Sequence, residues 1–131
     1  MTAQGTFVTF GWTPQEPYDV ADGVSLAFVT LGKTFEGDLK GSSTVTMIVS
    51  SSEHEDSRSY VAMERVSGSI GDREGTFVLQ HNAVSDEGDD ALTCTVVPGS
   101  GTGGLKGLRG QLRILIAPDG GHSYVFDHRL P

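Results

Sequence analysis

The chain has 131 residues, 37% of them hydrophobic and 20% charged, enough for one domain with one core and without the bias that marks disorder. Its formal charge of −8 repels phosphate backbones and anionic lipid surfaces, so neither nucleic acid nor a membrane is an expected partner. A single cysteine, Cys94, excludes an internal disulfide, and no apolar run approaches the roughly 20 residues that span a bilayer.

Eight strand-like segments follow in order, each rich in Val, Thr, Phe or Tyr. "GTFVTFGW" (5–12) opens the chain, after a start that lacks a basic stretch followed by an apolar one, so a cytoplasmic location is expected. Residues 12–24, "WTPQEPYDVADGV", form the longest joint, and its two prolines leave room for at most a turn of helix. "VSLAFVTLGKTF" (24–35) and "GDLKGSSTVTMIVS" (37–50) come next, then "SYVAMERVSG" (59–68) and "GTFVLQHNAV" (75–84). "ALTCTVVP" (91–98), "LRGQLRILIA" (108–117) and "HSYVFDHRL" (122–130) complete the set. The joints "FEGD", "GSIGDREG", "SDEGDD" and "APDGG" are turn chemistry. Connections this short force antiparallel neighbours. The expected fold is all-β: a single domain over 1–131 forming an eight-stranded antiparallel up-and-down barrel, which closes its own edges. Such a barrel has room for side chains or one small ligand.

"GSGTGG" (99–104) has the glycine spacing of a dinucleotide fingerprint, but no helical pattern follows to supply a helix N-terminus. It reads as a glycine-rich bend at the barrel rim, and no cofactor is expected. His54, His81, His122 and His128 show no close ligand-spaced pair, so no metal is expected either; His81 and His128 lie at strand ends and could meet across the sheet. Cys94 sits among β-formers with no basic setting and reads as a packing residue.

Alternation places Tyr60, Ala62, Glu64 and Val66 on one face, with Val61, Met63 and Arg65 on the other. In the next segment Phe77, Leu79, His81 and Ala83 oppose Thr76, Val78, Gln80 and Asn82. Sequence leaves open which faces point inward. An inward Glu64 needs partners, since an unpaired buried carboxylate is costly, and Gln80 is a natural one. Burial would raise the pKa of Glu64 and fit it for acid or base work near neutrality. The alternative is an exposed Glu64–Arg65 strand edge.

"EPYDVADGVSLAFVTLGKTFEGDLKGSS", "SYVAMERVSGSIGDREGTFVLQHNA" and "TVVPGSGTGGLKGLRGQL" together resemble the bacterial DUF3224 family over nearly the whole chain. The resemblance implies an allene-oxide-cyclase-like barrel around an elongated cavity. Barrels of that kind include cyclases that fold an apolar, flexible substrate into a reactive shape without cofactors, and they are commonly homo-oligomeric. A dimer is therefore expected. On this basis Glu64, Gln80 and His81 are the expected catalytic group, with Trp12, Tyr60, Phe77 and Tyr124 as ligand-binding walls. The expected function is a cofactor-independent cyclase or isomerase acting on a polyketide- or lipid-like molecule. The alternatives are a non-catalytic small-molecule carrier and, third, a structural or stress-response oligomer with a filled barrel.

Overall fold

The computed structural model of the chain describes residues 1–54 and 57–131; residues 55 and 56, inside the "SEHEDS" loop, lie outside the described residues. The described strands are β1 (Thr2–Pro14), β2 (Asp19–Ala21), β3 (Val24–Gly37), β4 (Leu39–Ser51), β5 (Ser59–Ile70), β6 (Arg73–Asp86), β7 (Asp89–Val96), β8 (Arg109–Ile116) and β9 (His122–Arg129). Their order in the sheet is β1-β9-β8-β7-β6-β5-β4-β3-β2, and β1 also pairs with β3. That pairing closes an eight-stranded antiparallel barrel, as the sequence indicates, with β2 as an extra strand. Among the described residues no helix is long and apolar enough to cross a membrane.

The joint at residues 12–24 holds β2 rather than a helical turn. Ala21 pairs with Val24 across Asp22 and Gly23, whose φ angles of 49° and 78° give the twist of a two-residue hairpin that a right-handed strand pair requires. Upstream, the β1–β3 register shifts between Phe10 and Thr13, so Trp12 sits in an irregularity at the barrel rim.

The barrel interior is divided along its axis. One half is filled by Ala3, Phe7, Phe35, Leu39, Phe77, Leu79, Tyr124 and Phe126 with their neighbours. Phe77 and Phe126 stack at 5.9 Å between ring centroids. The Tyr124 hydroxyl accepts from the Leu39 backbone N–H at 2.8 Å, and it can donate its one hydrogen to the carbonyl oxygen of Leu39 or of Glu36, at 3.0 and 3.1 Å. This end is stoppered by the segment that carries "GSGTGG". Ser100 and Thr102 accept hydrogen bonds from the backbone of Val78 and Thr76. A 3₁₀ turn at Gly103–Leu105 then tucks Leu105 and Leu108 fully inside. Gly75 has to be glycine, because a Cβ there would run into the Thr102 carbonyl.

In the other half the core thins to Val29, Val45, Met47 and Ala62, with Leu31, Val49 and Tyr60 packed alongside. There the barrel is open.

Candidate functional site

Between the filled and open halves lies a layer of polar side chains. β3 points Val29, Leu31, Lys33 and Phe35 inward by period-two alternation. Lys33 is in register with Ser43 on β4. One pair further along, Val45 faces Glu64 on β5, and Ala62 faces His81 on β6, which in turn faces Cys94 on β7. The stagger of neighbouring strands brings these side chains together at one level.

Glu64 is the hub. It is 0% exposed. Its Oε1 accepts from His81 Nε2 at 2.7 Å and from Lys33 Nζ at 3.2 Å. Its Oε2 accepts from Ser43 Oγ at 2.5 Å. An ionised carboxylate only accepts, so His81 carries its hydrogen on Nε2. The Lys33 ammonium also lies 4.7 Å from the Phe7 ring centroid, over a face that attracts cations. Burial pushes the Glu64 carboxyl up, but the His81 hydrogen bond, the Lys33 charge, the charge of His81 when it is protonated and the Ser43 hydroxyl outweigh it, and the net direction is downward. The raised pKa expected from burial alone is thus corrected: partners sequence could not pair with Glu64 hold it ionised.

Cys94 Sγ lies 3.6 Å from the same His81 Nε2. Thiol and carboxylate therefore share one nitrogen, which is not the relay of a nucleophilic triad, where they occupy opposite ring nitrogens. Burial, then the Glu64 charge, pushes the thiol up to about 12. Cys94 is a packing residue.

Above this layer opens a cavity of about 400 Å³, at the lower end of the range for small-molecule sites. Leu31, Val45, Met47, Ile114 and Tyr60 form much of its wall, Lys33 and His81 reach its inner end, and Trp12 and Arg58 also line it. Trp12 is 62% exposed. Burial, then the nearby Cys94 and Glu64, raises the pKa of the Tyr60 hydroxyl, so it stays a neutral donor. Near the open end β7 and β8 part; among the described residues their register is the single pair Thr95 and Gln111.

Of the expected residues, Glu64 and His81 meet at the inner end of the cavity, and Trp12 and Tyr60 line it. Gln80 does not belong with them. It is exposed on the outer face, in register with Met63, because alternation places it opposite His81. Phe77 and Tyr124 do point inward, but into the filled half, where both are buried in the core. His81 and His128 do not meet: His128 lies at the stoppered end, beside a hollow of about 610 Å³ lined by Met1, Asp38, Lys40 and Arg73. That hollow mixes both charges at the surface, and among the described residues no buried polar cluster converges on it. Lys33 and Ser43 were missed. The signal for Lys33 was present, as a lysine on the apolar row Val29, Leu31, Phe35.

The family model described as a protein of unknown function, DUF3224, matches residues 3–128. A crystal structure of a DUF3224 protein of unknown function from Shewanella oneidensis MR-1 superposes with a TM-score of 0.92 at 36% identity, covering 100% of this chain and 97% of that one. No curated protein matches the chain.

Proposed function

The chain belongs to the DUF3224 family, whose description assigns no activity, and from the site itself we propose that the barrel binds an apolar small molecule in its open half. The observation that carries this is the cavity of about 400 Å³ with mostly apolar walls, closed at its inner end by the Glu64–His81–Lys33 cluster. Apolar walls supply affinity, and a few fixed polar groups supply orientation. Titration with the neutral dye Nile red tests it: saturable binding with enhanced emission is expected, and Ala83→Trp, which fills the cavity from β6, should abolish it while the β-sheet circular dichroism persists. A dye that ignores the protein, or binds the filled variant equally, rejects the reading.

A second reading, a cofactor-independent cyclase or isomerase, is favoured by one feature: a histidine on the cavity wall whose Nε2–H is held by a buried carboxylate. In that reading His81 exchanges the proton, and Glu64 orients it and stabilises its charged form. Incubating a small-molecule extract of the purified protein with fresh protein in deuterium oxide tests it, since proton exchange at carbon adds a mass unit that a pure carrier does not. The resemblance of the sequence to allene-oxide-cyclase-like barrels is an expectation of fold and fixes no reaction. Dimerisation and a cytoplasmic location stand as parts of the same proposal; Phe28, Val61 and Met63 on the outer face offer apolar area for a second copy, and light scattering decides the mass.

A further inference from the structure

The described wall of the cavity carries no aspartate or glutamate, and Lys33 and His81 stand at its inner end. Glu64, which balances Lys33, sits behind that wall with no exposed surface.

Two side chains at the inner end have hydrogen-bonding capacity to spare. The Lys33 ammonium has three donors, and among the described residues Glu64 is its one hydrogen-bond partner. His81 is 3% exposed. Its Nε2 is committed to Glu64, while its Nδ1 is buried with no partner. Buried polar atoms rarely stay without a partner; among the described residues His128 Nε2 at the stoppered end is the other such atom, and His81 is the one of the two whose residue lines the apolar cavity. With Nε2 carrying the hydrogen, Nδ1 offers a lone pair and can take a proton.

We propose that the ligand of the open half carries a weakly acidic oxygen, as a carboxylic acid or enol does, seated head-down between His81 and Lys33, and that a carboxylate ligand takes up a proton as it binds. The inference rests on the reading of the open half as a ligand site. The proton goes to His81 Nδ1 and is shared with the ligand oxygen. Glu64 holds the resulting imidazolium from the other side, and Lys33 faces the anion. Without that proton the cluster of Glu64 and Lys33 is neutral, and an added anion would be opposed by Glu64. The groups that face His81 are Glu64 and Tyr60 from β5, Lys33 from β3 and Cys94 from β7. Ser43 from β4 acts through its bond to Glu64.

The test is isothermal calorimetry with decanoate and decanol, repeated at one pH in buffers of different ionisation enthalpy. Decanoate is expected to bind tighter than decanol by about tenfold or more, as charge-assisted bonds outweigh neutral ones. Its apparent enthalpy should change with the buffer in the sense of proton uptake, and that of decanol should not. In the paired variant Lys33→Met with Glu64→Gln, which keeps the interior neutral, the preference should fall to within about twofold and the buffer dependence should vanish. Decanol binding as well as decanoate in the wild-type protein, or decanoate binding without proton uptake, overturns the inference and leaves the apolar site standing. Binding of neither overturns the site as well.

Discussion

His81 Nε2 and Lys33 Nζ converge on a single oxygen of Glu64, at 2.7 and 3.2 Å. Two donors on one carboxylate oxygen, with Ser43 on the other, make Glu64 the member whose loss the layer tolerates least.

Glu64→Gln leaves the Lys33 ammonium buried without its counter-charge. A destabilisation of about 3–5 kcal/mol in urea unfolding is expected, the usual cost of breaking a buried pair from one side. Adding Lys33→Met should recover much of it, since replacing both partners is often neutral. A double variant as unstable as the sum of its parts would show that the two side chains do not act as a pair.

The downward shift of Glu64 sets a pH window. Its folded pKa lies below the ordinary value of 4.5, so its contribution is present above that value and is lost as the pH falls through the folded pKa. Wild-type protein should therefore lose stability on acidification below about pH 4.5 more steeply than the Lys33→Met, Glu64→Gln pair. Parallel acid-unfolding curves for the two would contradict this.

Cys94, pushed up to about 12 and nearly inaccessible, should resist a thiol reagent in the folded protein at pH 8. Labelling should follow the urea unfolding curve. Rapid stoichiometric labelling without denaturant would mean that the layer opens in the native state.

Gly75→Ala places a Cβ against the Thr102 carbonyl. Because that oxygen belongs to the backbone, the segment 97–102 has to move, and a cost of about 1–3 kcal/mol is expected in thermal unfolding. An unchanged midpoint would show that the stopper is free to shift.

Trp12 is the chain's single tryptophan and stands mostly exposed on the cavity lining. Its emission should be that of a solvated indole and should shift to the blue when decanol binds. Saturable decanol binding in calorimetry with no change in emission would place the ligand away from the rim.

The barrel was legible in the sequence because it is written in local terms: β-forming runs of alternating polarity, and Gly/Asp joints too short for a crossover. The faces of β5 and β6 were legible as sets, with Glu64 beside Tyr60 and His81 beside Phe77. Which half of the barrel each residue occupies was not, because that depends on the stagger between strands. Phe77 and Tyr124 carry the same alternation signal as Tyr60, yet the stagger sends them to the filled half. Gln80 was grouped with Glu64 by chemical suitability, against an alternation that already set it opposite His81. The downward shift of Glu64 needed Lys33 and Ser43, which lie 31 and 21 positions away, a distance over which one sequence pairs nothing.

The most direct test of the open half as a ligand site is a methyl-selective NMR titration with decanol. Binding there should move the methyl signals of Leu31, Val45, Met47 and Ile114, which line the cavity, while those of Leu39 and Leu105 in the filled half stay in place. Shifts confined to Val61 and Met63 on the outer face, or no shifts at all, would contradict it.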